Sequence, residues 1–207
     1  MILNVPNILT LSRFVVIPPL IALFYWDHPL AGWVACALFT LAGITDFLDG
    51  YLARSMSLHS RFGQMLDPIA DKVLVASVIL MLVAFDRAPV LAALVILCRE
   101  LIVSGLREFL AEISVGMPST RLAKWKTVIQ MVAIGFLLVG EAGPVFYPPY
   151  VTTALVGDVL LWIAAGLTIV TGANYLRVGI RHVIRPVPRG PGSTAPARPA
   201  KPTGSQG

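Results

Sequence analysis

Four aspartates stand close together in one short part of the chain: Asp46, Asp49, Asp67 and Asp71. The first two are three residues apart and the last two are four apart, so each pair shares one face of a helix. Carboxylate oxygen is the ligand that hard cations such as Mg²⁺, Mn²⁺ and Ca²⁺ prefer. The spacing therefore predicts a divalent-cation site, and two ions at such a site would suit phosphoryl displacement.

The chain around these aspartates is apolar enough for a membrane. It has 207 residues, of which 57% are hydrophobic and 13% charged, with a mean hydropathy of +0.80. A soluble domain is about 45–50% apolar and about 25% charged. An Asp at the centre of a membrane helix costs about 2.5–3.5 kcal/mol on insertion scales, and neighbouring carboxylates repel each other. The nearby Arg54, Arg61 and Lys72 are too few to pair with all four aspartates. Bound divalent cations would offset the remaining repulsion between the carboxylates.

The elements that must position the aspartates are apolar runs of roughly 20 residues, the length of a membrane span. Six runs are predicted, at about 10–26, 30–52, 66–85, 88–110, 122–139 and 151–176. The expected fold is an all-α integral membrane protein with six transmembrane helices. The first begins as a short N-terminal interfacial segment whose polar side carries Asn7, Thr10 and Arg13. Residues 1–185 would form one catalytic domain, and the Pro- and Gly-rich tail 186–207 would be disordered.

Basic residues predict the orientation. If both termini are cytosolic, the outer connections at 27–29, 86–87 and 141–150 contain one basic residue, Arg87. The inner side then collects most other Lys and Arg residues, as the positive-inside rule requires. The same rule accounts for the net charge of +5 without a nucleic-acid partner. The four aspartates would therefore lie just inside the cytosolic boundary of the cell membrane.

The motif Asp46-x2-Asp49-Gly50-x2-Ala53-Arg54-x8-Gly63-x3-Asp67-x3-Asp71 resembles the signature of the CDP-alcohol phosphotransferase family at eight fixed positions. The resemblance implies a homodimeric membrane enzyme that uses a CDP-linked lipid, here CDP-diacylglycerol, and releases CMP. It implies that the four aspartates hold two ions, Mg²⁺ or Mn²⁺, and that Asp71 is also the general base. The residues that it implies for CDP-lipid binding are Asn7, Thr10, Gly50, Ala53, Arg54, Ser60 and Gly63.

A second basic group lies further along the chain, with two Arg-Glu pairs eight residues apart in the predicted fourth span. It comprises Arg99, Arg107, Lys124 and Lys126. Such a group suits a phosphorylated acceptor, but positive-inside charge with structural ion pairs explains it equally well. The segments NVPNILTLSRF, RELIVSGLREF and LAKWKTVIQMVAI are similar to the phosphatidylglycerophosphate synthase branch of the family. That similarity implies glycerol 3-phosphate as the acceptor, bound through its phosphate by these four residues.

Two alternatives remain open. The aspartate motif does not choose the acceptor, so inositol phosphate, serine or phosphatidylglycerol would support the same chemistry. A cation transporter, from a different class, would also carry carboxylates within the membrane. Thermal stabilisation by CDP or CMP with Mg²⁺ distinguishes the two classes, because a transporter has no nucleotide site.

Overall fold

Long α-helices account for most of the described chain. The computed structural model describes residues 5–56, 61–112, 121–146 and 150–184, with side chains at 12–45, 69–111, 121–146 and 150–177. The helices are α1 (Val5–Phe24), α2 (Pro29–Met56), α3 (Arg61–Ala84), α4 (Val90–Glu112), α5 (Arg121–Val139) and α6 (Thr153–Ile184). Between α5 and α6 lie a 3₁₀ turn, Gly140–Ala142, and an antiparallel hairpin of β1 (Val145–Phe146) and β2 (Val151–Thr152).

Each of the six apolar runs coincides with one helix, which confirms the mostly helical fold. The hairpin between α5 and α6 was not predicted, because two residues per strand are too few for a periodic pattern. Helix α3 begins five residues before the predicted run, and Gly63 lies in its first turn. Helix α1 continues through Pro18 and Pro19, which lie on its exposed side. The tail 186–207 lies outside the described residues.

Small residues let the helices approach closely. Helix α1 packs against α2 and α3, α6 packs against α4 and α5, and α2 packs against α5. At Gly32 an added Cβ would lie 2.6 Å from the carbonyl oxygen of Leu138. Phe39 on α2 and Ile134 on α5 are fully buried in the same apolar core. Close backbone approach of this kind is how helices associate in lipid, where hydrophobic burial adds little.

Two stretches, Arg121–Ala142 and Thr153–Arg177, are long and apolar enough to cross a membrane by length and composition. Shorter apolar stretches cover Ser12–Phe24 and Pro29–Thr45 within the part of the chain whose side chains are described. Large apolar side chains also face outward, including Leu101, which is 69% exposed. An outward apolar surface is what a helix bundle presents to lipid.

Helix α3 ends in a left-handed turn. Asp86 has a φ of 54°. The N–H of Asp86 donates to the carbonyl of Val83 at 3.1 Å, and the N–H of Arg87 donates to that of Leu82 at 2.8 Å. These two bonds form a Schellman motif, which usually places glycine at the left-handed position. An Asp at that position carries a steric cost that glycine would not.

Candidate active site

The predicted metal ligands lie at matching distances from the connection between α2 and α3. Asp46 lies ten residues before Met56, the last residue of α2, and Asp71 lies ten residues after Arg61, the first of α3. Both distances are about 15 Å along a helix. Asp49 and Asp67 lie seven and six residues from the same ends. Because only residues 57–60 join the helices, an extended chain would separate the two ends by at most about 17 Å.

Asp71 is the one predicted metal ligand whose side chain is described, and it is exposed. The side chains of Asp46, Asp49 and Asp67 lie outside the described set. Among the described side chains, no group of three or more His, Cys, Asp or Glu residues is placed to hold a metal. The donor set itself, four carboxylates, fits Mg²⁺ or Mn²⁺. The two-ion site therefore stays a prediction that the helix positions accommodate.

The predicted CDP-lipid residues lie on the three helices around this end of the bundle, and α1 contacts both α2 and α3. Their helical backbone is described except at Ser60, which lies outside the described residues, and their side chains are not described: Asn7, Thr10, Gly50, Ala53, Arg54 and Gly63. Arg13 follows on α1 and is only 1% exposed. The sequence predicted this residue on the polar side of an interfacial helix. In the structure it points into the bundle instead. CDP-lipid binding at these positions stays a prediction.

Two of the four predicted acceptor residues meet at one carboxylate. Oε1 of Glu100 on α4 contacts Nζ of Lys126 on α5, and Nη1 of Arg99 lies 3.4 Å from the same oxygen. Lys126 is only 2% exposed, whereas the Glu100 side chain is 28% exposed. Asp71 on α3 and Arg99 both act electrostatically on the Lys126 ammonium. We name Arg99, Glu100 and Lys126 the cation pair cluster; it carries a net charge of +1 and lies within the electrostatic range of Asp71.

The other two acceptor residues, Arg107 on α4 and Lys124 on α5, are exposed. Among the described residues, no hydrogen bond or ion pair joins either of them to the cation pair cluster. Lys72 on α3 contacts the hydroxyl of Ser104 on α4, and its ammonium lies 4.0 Å from Glu108. This second contact ties α3 to α4 beside Asp71. The two Arg-Glu pairs seen in the sequence thus have different surroundings, one half-buried and one at the surface.

Sequence reasoning missed the part of the site that α6 supplies. Arg99 donates from Nη2 to Oγ1 of Thr171 at 3.1 Å, and its guanidinium carbon lies 5.7 Å from the ring centre of Tyr175. Thr171 is 72 residues away from Arg99 in the chain. The sequence of α6 reads as a plain apolar span, so no local pattern marks either residue.

An apolar groove lies between α2 and α5. Its volume is about 490 Å³, and it runs from Trp33 and Phe146 to Gly43 and Ile44. Gly43 and Ile44 lie three and two residues before Asp46 on α2, so the groove ends within one helical turn of that residue. A larger polar cavity of about 1170 Å³ lies at the opposite end of α2 and α3, near Asp86 and Glu141. The apolar groove is the one whose chemistry suits a lipid chain.

Comparison with known proteins places these features in a family. A model of the family described as CDP-alcohol phosphatidyltransferase matches residues 3–170. This chain belongs to that family. The match covers all four aspartates, the CDP-lipid residues and the cation pair cluster. The resemblance seen in the aspartate motif is therefore confirmed at the level of the family.

Several relatives carry the same enzyme name, CDP-diacylglycerol–glycerol-3-phosphate 3-phosphatidyltransferase. The protein of Rickettsia typhi is 49% identical over 174 residues, which cover 84% of this chain and 96% of the relative. The protein of Cereibacter sphaeroides is 37% identical and covers 87% of this chain and 97% of its own. The protein of Bacillus subtilis is 36% identical and covers 83% and 93%. The similarity thus extends along nearly the whole of each relative.

Solved structures share the fold at low identity. The phosphatidylinositol phosphate synthase of Mycobacterium tuberculosis in its apo form superposes with a TM-score of 0.63 at 20% identity, covering 89% of this chain and 94% of that one. The same enzyme in complex with manganese and citrate gives a TM-score of 0.58 over 86% and 83% of the two chains. At this identity the likeness supports the fold of the helix bundle.

Proposed function

We propose that this chain transfers the phosphatidyl group of CDP-diacylglycerol to the 1-hydroxyl of sn-glycerol 3-phosphate, giving phosphatidylglycerophosphate and CMP. It is a transferase of phospholipid biosynthesis. Support comes from relatives with that enzyme name at 36–49% identity over 83–87% of this chain. The family match across residues 3–170 supports the same reaction class.

The observation that favours a phosphorylated acceptor is the cation pair cluster, and the enzyme name of the relatives favours glycerol 3-phosphate over inositol phosphate. Glu100 holds Arg99 and Lys126 against one carboxylate oxygen, and the Lys126 ammonium also interacts with Asp71. A phosphate dianion complements the net positive charge of the cluster, and Arg binds phosphate through paired N–H groups. Serine lacks the phosphate that such a cluster would recognise. Arg107 and Lys124, which are exposed on the same two helices, complete the phosphate site from the solvent side.

Asp46, Asp49, Asp67 and Asp71 would hold two divalent ions, Mg²⁺ or Mn²⁺. The ions would supply charge neutralisation for the diphosphate and the departing phosphate. The all-carboxylate donor set supports this assignment. Arg54, one residue beyond Ala53 on α2, pairs with the diphosphate oxygens. Asn7, Thr10, Gly50, Ser60 and Gly63 line the nucleotide.

Asp71 joins the two halves of the reaction. Its carboxylate accepts the proton of the acceptor's 1-hydroxyl as that oxygen bonds to the phosphorus carrying the diacylglycerol. The bond from this phosphorus to the CMP oxygen breaks in line, and CMP leaves. The apolar groove between α2 and α5 gives the lipid substrate an apolar surface that ends two residues from Asp46.

The membrane arrangement is also a proposal. All six helices would span the cell membrane with both termini in the cytosol, so that the aspartates and the cation pair cluster face the cytosolic pool of glycerol 3-phosphate. The lone basic residue in the connections at the opposite end, Arg87, supports this orientation under the positive-inside rule. A homodimer follows from the family resemblance and stays a prediction.

The test is a product assay on the purified protein in detergent. The protein is incubated with CDP-diacylglycerol, Mg²⁺ and glycerol 3-phosphate, and the lipid product is identified by mass spectrometry. Phosphatidylglycerophosphate is expected, and it should disappear with EDTA and in Asp71→Asn. Product formation by correctly folded Asp71→Asn at the wild-type rate would remove Asp71 as the base. Absence of product from the wild-type protein, together with no thermal stabilisation by CMP and Mg²⁺, would overturn the enzyme assignment.

A further inference from the structure

One turn of helix α6, from Thr171 to Tyr175, contacts the side chain of Arg99. The Thr171 hydroxyl accepts a hydrogen bond from Nη2 of Arg99 at 3.1 Å. Tyr175, one turn further on and 4% exposed, presents its ring 5.7 Å from the guanidinium carbon. Between them, Gly172 leaves room for the stem of the arginine, since an added Cβ would lie 3.0 Å from its Cγ. The side chain of Arg99 is therefore laid along the backbone of α6.

The orientation of the Thr171 hydroxyl is fixed. Oγ1 lies 2.8 Å from the carbonyl oxygen of Leu167 and 3.2 Å from that of Thr168, both on the preceding turn. The single hydroxyl proton is donated to these carbonyls, so the lone pairs of Oγ1 point away from the helix. Those lone pairs receive the Nη2–H of Arg99. Thr171 thus acts as a directed acceptor, and its side chain is 2% exposed.

The contacts leave part of the guanidinium available. Nη1 faces Glu100 and Nη2 faces Thr171. Nε is buried and has no hydrogen-bond partner among the described residues. Arginine carries five N–H donors in a fixed plane, so fixing Nη1 and Nη2 also fixes the direction of the Nε–H. The arginine is held in a single orientation; Nε is buried against α6, and the second N–H groups of Nη1 and Nη2 are the donors left for a ligand.

We propose that Thr171 and Gly172 are positioning residues that orient Arg99 for the phosphate of the acceptor. This inference rests on the proposed function, because it gives Arg99 that ligand. The pair acts through Arg99 and makes α6 a determinant of acceptor affinity, although neither residue touches the substrate. Orienting a charged donor before the ligand arrives improves binding without a new contact.

The direct test removes the Thr171 hydroxyl and keeps the shape of the side chain. Thr171→Val should raise the KM for glycerol 3-phosphate about tenfold, the lower range for a hydrogen bond to a charged group. The KM for CDP-diacylglycerol and kcat should change less than twofold. Thr171→Ser should restore the acceptor KM, since it keeps Oγ. Thr168→Val is the matched control on the same helix, because the Thr168 hydroxyl is buried without a hydrogen-bond partner among the described residues. The KM of this variant for glycerol 3-phosphate should equal that of the wild type.

A second pair of variants tests the space. Gly172→Ala places a methyl group against the arginine stem and should also raise the acceptor KM. Gly166→Ala adds the same methyl group to α6 where nothing lies within 4 Å, and it should leave both KM values unchanged. Melting temperatures of all variants in detergent establish that each is folded. An unchanged acceptor KM in folded Thr171→Val, or equal rises for both substrates, would overturn the positioning role.

Arg99→Ala separates this inference from the function beneath it. If Arg99→Ala raises the acceptor KM and Thr171→Val does not, the acceptor site stands and only the positioning role fails. If Arg99→Ala itself leaves the acceptor KM unchanged, the assignment of Arg99 to the phosphate fails and the positioning role fails with it. A wild-type protein that uses a different acceptor is identified independently by its lipid product.

Discussion

Glu100 holds two cations together inside the bundle. The effect of removing its negative charge can be estimated from the burial of these groups. In Glu100→Gln the carboxylate becomes neutral with little change of shape. Lys126, 2% exposed, and Arg99, 13% exposed, then face each other without the charge between them. We expect a marked loss of stability, because the lysine has no route to bulk water.

The magnitude follows from burial. Removing one partner of a fully buried ion pair costs about 3–5 kcal/mol, whereas an exposed pair contributes about 0–1 kcal/mol. Glu100 is 28% exposed and its lysine partner is almost fully buried, so we expect about 2–3 kcal/mol, towards the buried limit. For a chain of this length that corresponds to a fall in melting temperature of about 4–12 °C.

Glu108→Gln is the matched control for this measurement. It is the same substitution on the same helix, but the Glu108 carboxylate is 70% exposed and lies 4.0 Å from Lys72. Its melting temperature should fall by at most about 4 °C, since a surface pair contributes at most about 1 kcal/mol. The assay is thermal unfolding of the purified proteins in one detergent, followed by intrinsic fluorescence.

A double variant distinguishes charge burial from general damage. Glu100→Gln combined with Lys126→Met removes both members of the pair and should recover more than half of the loss, because the buried lysine charge is gone. Equal melting temperatures for Glu100→Gln and Glu108→Gln would refute the account of the cluster. A double variant less stable than both single variants would refute it as well.

Three further outcomes follow from the structure. Asp86→Gly should raise the melting temperature by a few degrees, because glycine adopts the left-handed conformation at φ 54° without strain; a fall would contradict the Schellman assignment. Gly32→Ala should destabilise the fold by about 1–3 kcal/mol, since its methyl group would meet a backbone oxygen at 2.6 Å. The control Gly105→Ala, where nothing lies within 4 Å of the added Cβ, should not destabilise the fold. Both variants are measured by thermal unfolding. Equal melting temperatures would contradict the close contact of α2 with α5 at Gly32. Arg107→Ala should raise the KM for glycerol 3-phosphate in steady-state kinetics without lowering the melting temperature, and an unchanged KM would remove Arg107 from the phosphate site.

The helix positions could be predicted from the sequence because span length is a strong constraint. A bilayer requires about 20 apolar residues per helix, so six runs appeared with their order and approximate bounds. The start of α3 was placed too late, since Arg61, Gly63 and Gln64 interrupt the apolar pattern of its first residues. The hairpin at Val145–Phe146 and Val151–Thr152 was missed because its strands are too short for alternation to be visible.

The sequence proposes site residues where they are close together in the chain. Asp67 and Asp71 are recognisable by their charge and their spacing in an apolar sequence. Their distances from the start of α3 are close to those of Asp49 and Asp46 from the end of α2. The role of Glu100 was visible only as a structural ion pair, which sequence reasoning weighed against acceptor binding. The structure shows the ion pairs of Glu100 with Arg99 and Lys126, and acceptor binding by these two residues stays a prediction. Thr171 could not be found from the sequence, since a threonine in an apolar span hydrogen-bonds its own helix by default.

The most direct test of the central claim is a competition between acceptors. The protein in detergent receives CDP-diacylglycerol, Mg²⁺ and equal concentrations of glycerol 3-phosphate, inositol phosphate, serine and phosphatidylglycerol. The ratio of lipid products then gives the ratio of kcat/KM values. We predict that phosphatidylglycerophosphate exceeds every other product, and that it exceeds phosphatidylserine by at least about a hundredfold, because serine lacks the phosphate that the cluster binds. A predominance of phosphatidylinositol phosphate would contradict glycerol 3-phosphate as the acceptor. A predominance of phosphatidylserine or cardiolipin would also contradict recognition of a phosphate monoester by the cation pair cluster.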